Sequence, residues 1–181
     1  IEIPDTYFSK FLMNRYDAND DKKLTKSELE AITELALWST NKDMYVVPLR
    51  GLGSLAGIEY MTNLQKLDIR NSINVKALDV TKNAKLTELL IQGTAISTID
   101  LSGNPELKVL NVNDSKLTAL DVTKNTKLEK LYASNIAVST IDLSANTALR
   151  VLNAGFSGIT SIDLSKNTAL EQVYLPGNQL T

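Results

Sequence analysis

The sequence contains no histidine and no cysteine. Without an imidazole there is no His-based general acid or base, no Ser-His-Asp triad and no HExxH zinc site. Without a thiol there is no cysteine nucleophile, no disulfide and no Cys-ligated zinc or iron–sulfur cluster. Aromatic residues make up only 6% of the chain, so any core must be aliphatic. Neither sign of charge dominates: Lys plus Arg is 19, Asp plus Glu is 21, and the net charge is −2. That balance supplies no basic field for nucleic acid or anionic lipid. No apolar run approaches the roughly 18–20 residues of a membrane span, so no transmembrane segment is expected. No signal peptide is visible, yet the first residue is Ile1 rather than Met, so removal of an upstream segment is an open expectation. What is present is 181 residues, 43% hydrophobic and 22% charged. This suits one ordinary domain, or one domain with a small cap.

The dominant feature is internal repetition. Leucines fall at Leu64, Leu86, Leu107, Leu128, Leu149 and Leu170, spaced by 22 residues once and then by 21. Behind Leu86, Leu107, Leu128 and Leu149, apolar residues recur at offsets 3, 5, 10, 13 and 15, as in Leu107, Leu110, Val112, Leu117, Leu120 and Val122. Offsets 3 and 5 have the two-residue period of a strand with one buried face. A second alternation surrounds an aspartate, as in Ile99-Asp100-Leu101 and Leu120-Asp121-Val122. Each coil should run strand, turn, short extended segment, turn, with little room for a full helix. One coil cannot cover its own apolar set, whereas stacked coils can. The pattern L-x-x-L-x-L-x-x-x-x-L closely resembles leucine-rich repeats over about residues 52–181. The resemblance implies an α/β fold: a right-handed leucine-rich repeat solenoid with short extended or 3-10 returns and an N-terminal helical cap.

The chain departs from that family at offset 8, where the family usually has an asparagine that bonds backbone between coils. Here the position holds Ser72, Thr94, Ser115, Ile136, Ser157 and Asn178. Another series recurs: Asn83, Asn104, Asn125, Asn146 and Asn167, each four residues after an aspartate. These asparagines are expected to be turn formers that bond local backbone. Alternate coils resemble each other, with ALDVTKN at 77–83 and 119–125 and STIDLS at 97–102 and 139–144. This points to duplication in two-coil units.

Residues 1–38 lack the repeat and are expected to form a helical cap. Residues 39–63 would be a connecting segment and irregular first coil, followed by coils of 21–22 residues over 64–181. Phe8, Phe11, Leu12 and Tyr16 have helical spacing, as do Leu29, Ile32, Leu35 and Ala36. Between them, residues 17–28 resemble an EF-hand calcium loop. The resemblance places oxygen ligands at Asp17, Asn19, Asp21, the Lys23 carbonyl, Thr25 and Glu28, and makes Ca2+ the candidate cofactor. Lys22 stands where that loop normally has glycine. A capping box between Thr25 and Glu28, with the acidic run as a solvated turn, is the competing reading. A short edge strand is expected at Tyr45-Val46-Val47, with Pro48 suited to an edge.

Three weaker signals read as architecture. Gly51-Leu52-Gly53-Ser54-Leu55-Ala56 mimics a dinucleotide-binding loop but lacks the βαβ surroundings, so its glycines should simply turn the chain into the first coil. Asp79, Asp100, Asp121, Asp142 and Asp163 read as turn caps, with Lys82, Lys124 and Lys166 softening their mutual repulsion. Asn113-Asp114-Ser115 is a three-residue match to a glycosylation acceptor and decides nothing.

Offsets 2, 4 and 6 should face a concave surface, where identity is free to vary. Candidate partner-binding residues are Lys66, Asp68, Arg70, Glu88, Asn111, Asn113, Lys130, Tyr132, Asn153 and Tyr174. Tyr132 and Tyr174 should flank Asn153, a mixture of aromatics and amides suited to protein interfaces or to stacking on sugar rings. The helix pair followed by these coils resembles secreted or surface-anchored bacterial leucine-rich repeat proteins, notably of the Bacteroidetes. That resemblance implies a non-enzymatic extracellular module that binds a protein in adhesion or host contact. A glycan-binding surface protein and a passive spacer remain the alternatives. The last strand is expected to leave an edge open for association of copies.

Overall fold

A computed structural model describes residues 1–37 and 51–181. The expected strand at Tyr45–Val47, and the role of Pro48, lie outside these residues.

The fold is a leucine-rich repeat β-solenoid of stacked parallel coils. Helix α1 (Thr6–Tyr16) and the short helix α2 (Lys26–Glu30) precede strand β1 (Glu34–Ala36). A 3-10 turn at Ile58–Tyr60 follows. Then come β2 (Lys66–Asp68), β3 (Glu88–Leu90), β4 (Val109–Asn111), β5 (Lys130–Tyr132), β6 (Val151–Asn153) and β7 (Gln172–Tyr174). The seven strands form one parallel sheet in sequence order. The registers align Leu67, Leu89, Leu110, Leu131 and Leu152 rung above rung. Each of these leucines is fully buried, as are Leu64, Leu86, Leu107, Leu128 and Leu149. The core is the aliphatic column that the offsets anticipate, with hydrophobic burial along its length as its main stabilising term.

One expected helix is a strand. Helix α2 stops at Glu30, and Glu34–Ala36 pairs with β2 through Leu35 opposite Leu67. The Leu29, Ile32, Leu35 spacing fits a helix, but Ile32 and Thr33 are β-branched and Leu35 alone points inward from a strand. Thr33 carbonyl accepts from Gln65 and Lys66 backbone N–H, which draws this segment into the sheet.

The asparagine series also differs from its expectation. Asn83, Asn104, Asn125, Asn146 and Asn167 are buried, and their side chains reach the preceding coil rather than local backbone. Asn125 Nδ2 donates to Leu101 carbonyl at 3.0 Å and Asn104 carbonyl at 2.9 Å. Asn146 repeats this on Val122 and Asn125, and Asn167 on Leu143 and Asn146. Returns without helix or strand leave buried carbonyls, and these amides satisfy them. At offset 8, Thr94 and Ser157 hydroxyls do bond backbone carbonyls, while Ile136 simply fills core volume.

The aspartates cap turns as expected. Asp79 Oδ1 accepts from Thr81 N–H at 2.9 Å and from its hydroxyl at 2.7 Å, and Asp121 does the same with Thr123. Asp100, Asp142 and Asp163 accept the N–H of Ser102, Ser144 and Ser165. The helical cap is fastened by Asp5. Its Oδ1 caps α1 through Tyr7 and Phe8 N–H, and its Oδ2 accepts from Gly53 and Ser54 N–H at 3.0 Å. Burial works to raise the Asp5 pKa, but these four donors together hold it below the usual carboxylate value. The Gly53 and Ser54 N–H groups of the glycine-rich stretch are thereby committed to a side chain of the protein itself.

Candidate functional site

The open face of the sheet carries the outward residues of every strand. Leu67 and its equivalents point into the core, so the residues on either side of them point out. Register fixes two parallel rows. One runs Lys66, Glu88, Val109, Lys130, Val151, Gln172, and the other Asp68, Leu90, Asn111, Tyr132, Asn153, Tyr174.

From β3 onward these rows form a checkerboard. Leu90, Val109, Tyr132, Val151 and Tyr174 alternate between rows on successive strands. Glu88, Asn111, Lys130, Asn153 and Gln172 fill the other squares. Strands two coils apart carry matching pairs here, Val109/Asn111 with Val151/Asn153 and Lys130/Tyr132 with Gln172/Tyr174. A sheet with strands roughly 4.8 Å apart thereby presents a zigzag apolar line across its outward face. Tyr132 is half-buried against its neighbours and Tyr174 is 52% exposed, two strands apart with Asn153 between them as expected.

The candidate residues divide by what they already hold. Lys66 Nζ lies 3.4 Å from Glu34 Oε1. Arg70 grips Asp68 through Nε and Nη2 at 2.8–3.1 Å. That carboxylate raises the Arg70 pKa, with Glu88 adding to the field. Asn113 Oδ1 accepts from Ser134 N–H at 2.7 Å, and Asn153 Oδ1 from Ser134 hydroxyl at 2.7 Å. Asn111 bonds Gln92 Oε1 and Asn113 N–H. The polar candidates are thus largely engaged in ordering the face. The apolar members Leu90, Val109 and Val151 were not singled out by sequence, although their offsets placed them on this surface.

Phe156 is a second feature that sequence reasoning passed over. The turn after each of β2 to β7 places one residue in the left-handed region, and the series runs Asn71, Gly93, Asp114, Asn135, Phe156, Gly177. Phe156 has φ of 54° and is 63% exposed. A Cβ on Gly177 would collide with its ring, so glycine in the next coil makes room for it. The aligned series itself was the available signal.

The loop over residues 17–28 shows parts of both readings. Lys22 takes the left-handed conformation, with φ of 63°, that a glycine would take at no steric cost. Its N–H donates to Asp17 Oδ2 at 2.9 Å, and Lys23 N–H donates to Asp21 Oδ1 at 2.9 Å. Asn19 Nδ2 bonds Asp21 Oδ2 at 3.2 Å. Asp17 Oδ1 is buried with no hydrogen-bond partner. The capping box is also formed: Glu28 Oε2 accepts from Thr25 N–H and hydroxyl, and Glu28 N–H donates to Thr25. Glu28 Oε1 accepts from Ala18 N–H at 2.9 Å. The Thr25 N–H, then its hydroxyl, then the Ala18 N–H lower the Glu28 pKa. Among the described residues no three acidic side chains are gathered closely enough to hold a metal ion. A cation would therefore have to draw Glu28 out of its cap.

Solved structures confirm the architecture. The functional domain of InlJ from Listeria monocytogenes is similar over 87% of this chain and 38% of its own, at 26% identity and a TM-score of 0.67. Internalin C2 of the same organism is similar over 98% of this chain and 76% of its own, at 19% identity and a TM-score of 0.80. The leucine-rich repeat ectodomain of the plant receptor kinase GASSHO1/SCHENGEN3 from Arabidopsis thaliana was solved in complex with Casparian strip integrity factor 2. It matches 68% of this chain and 16% of its own, at 20% identity and a TM-score of 0.58. The chain therefore spans well under half the length of InlJ's functional domain and about three quarters of internalin C2. No family model and no curated protein sequence matches the chain. Among the described residues no helix is long and apolar enough to cross a membrane.

Proposed function

We propose that this protein is an extracellular recognition module, secreted or held at the cell surface, that binds a protein partner through the open face of its sheet. The observation that carries this is the zigzag of Leu90, Val109, Tyr132, Val151 and Tyr174. Its members are half-buried or exposed on a face where core packing requires nothing apolar. Aromatic and aliphatic anchors among polar groups are the composition of protein interfaces. The self-paired polar residues set register and exclude poor partners, and the apolar line supplies affinity. The internalin and receptor-ectodomain neighbours support a binding role, of which adhesion or host contact is the biological form we favour.

A screen of extracellular proteins, run beside a glycan array with wild type and Tyr132→Ala/Tyr174→Ala, tests the reading. Capture of a protein that the double variant loses by about tenfold or more supports it. Binding confined to glycans would favour the second reading, in which the exposed Tyr174 ring stacks on sugar. Silence in both would favour a passive spacer. Association of copies through the β7 edge is a separate proposal, contradicted if light scattering shows a monomer at all concentrations.

We further propose that the 17–28 loop takes Ca2+. The unpartnered buried Asp17 Oδ1, the left-handed Lys22 and the all-oxygen donor set support this. Asp17, Asn19, Asp21, Thr25 and Glu28 would supply side-chain oxygens and Lys23 its carbonyl. Calcium should raise the melting midpoint relative to chelator, and Asp17→Asn should abolish the shift. Equal midpoints would leave the loop as a capped turn.

A further inference from the structure

The returns of the first coils enclose a cleft of about 580 Å³, away from the sheet face. Its lining includes Leu55, Ile58, Leu78 and Ile99, with Glu59, Asp79 and Asp100 among the polar members. The cleft has a local cause. Later coils stack one Asp-centred extended segment on another, but in the first coil Ala56-Gly57-Ile58 holds that place and leads straight into the 3-10 turn at Ile58–Tyr60. Gly57 enters the turn with φ of 108°, and Ile3 packs where its Cβ would stand. Ile99, in the wall of the cleft, is only partly covered.

Among the described residues the charge of this lining is one-sided: three carboxylates and no cation. An equivalent cleft further along, of about 250 Å³ between Asp142 and Asp163, contains Lys166 in its own wall. Around the first cleft, Lys82 acts on Asp79 from outside the lining. Asp79 and Asp121 both repel the Asp100 carboxylate. The Ser102 hydroxyl and N–H that cap Asp100 nonetheless lower its pKa from the usual carboxylate value. The rim acids are not gathered closely enough to hold a metal ion. An apolar floor beneath dispersed carboxylates instead fits a long side chain with an aliphatic stem and a cationic head.

We propose that this cleft is a second docking site, which receives an arginine or lysine of a basic, apolar-flanked segment of a polypeptide partner. The stem would lie on Leu55, Ile58, Leu78 and Ile99, and the head among Glu59, Asp79 and Asp100. The site is independent of the sheet face and stands whether or not that face binds. It gives a weakly acidic chain a charge-selective contact on its return side.

The test is titration of the intact protein with a blocked Leu-Arg-Gly-Leu-Arg-Leu peptide, followed by amide NMR shifts at Ala56, Ala77 and Thr98. Glu59→Gln/Asp100→Asn keeps the acceptor oxygen that caps the Asp100 turn and removes the charge. The peptide should bind the wild type, lose affinity about tenfold in this variant, and weaken as salt rises to about 0.5 M. Asp142→Asn/Asp163→Asn, at the equivalent cleft, should leave affinity unchanged. Equal binding by both variants, equal binding of a norleucine-for-arginine peptide, or spermidine binding as tightly as the peptide would overturn the proposal. So would the absence of shifts at millimolar peptide.

Discussion

At the scale of single residues, the left-handed turn position shows side chains chosen against or for local backbone. Phe156 holds a left-handed conformation that costs an L-residue roughly 1–2 kcal/mol and is relieved least by a bulky side chain. Asn71 and Asn135 occupy the same place three coils apart and pay less. Phe156→Asn should therefore raise unfolding free energy by about 0.5–1 kcal/mol in urea denaturation, since most of the ring is solvent-exposed. A loss of stability would show that the ring's contact with Gly177 outweighs the strain. The aspartate turns lead to a pH prediction. Thr81, Ser102, Thr123 and Ser144 lower their aspartates chiefly through the hydroxyl and then the N–H, and Ser165 acts on Asp163 in the reverse order. Between the ordinary value of 3.8 and the lowered native values, the unfolded chain binds more protons than the folded one. The contribution is fully present above the ordinary value and is lost as pH falls through the native ones. Acid titration of stability should be steeper for wild type than for Asp79→Asn/Asp121→Asn. Identical slopes would remove these turns from the acid response.

At the scale of elements, the asparagine column joins each return to the one before it. Asn125→Ala removes two bonds to buried carbonyls and leaves Leu101 and Asn104 oxygens without their donor. Each orphaned group costs about 1–3 kcal/mol, so the variant should lose about 2–4 kcal/mol in chemical denaturation. A loss below about 0.5 kcal/mol would mean that other donors replace the amide. Sequence showed that these asparagines recur, but not where they reach. An asparagine after an Asp-hydroxyl turn has local partners available, and only stacking reveals that the unpaired carbonyls lie one coil back. Strand β1 was hidden for a related reason. Leu29, Ile32 and Leu35 satisfy a helical period by spacing, while the pairing that makes Glu34–Ala36 a strand comes from β2, thirty-two residues later. The inner strands were legible because the apolar offsets must repeat if coils are to stack.

At the scale of the whole molecule, the solenoid separates what packing dictates from what it leaves free. The inward leucines and the asparagine column build a scaffold that repeats, and the outward rows vary upon it. Sequence identified those rows and the two tyrosines. It did not show that Asp68 and Arg70, or Asn113, Ser134 and Asn153, would be occupied with one another, because those bonds depend on rotamers and strand register. Nor did it show that the apolar residues left over would form a line. The line is legible only after alternate coils are laid side by side, where Val109 falls at the place of Val151 and Tyr132 at that of Tyr174.

The most direct measurement of the recognition surface is the affinity of the captured partner for two single-charge variants of matched stability, Val109→Lys on the sheet face and Thr118→Lys on the exposed return. Val109→Lys should weaken binding about tenfold or more and Thr118→Lys should leave it unchanged. Full affinity in Val109→Lys, or a loss confined to Thr118→Lys, would contradict the assignment of the open sheet face as the binding surface.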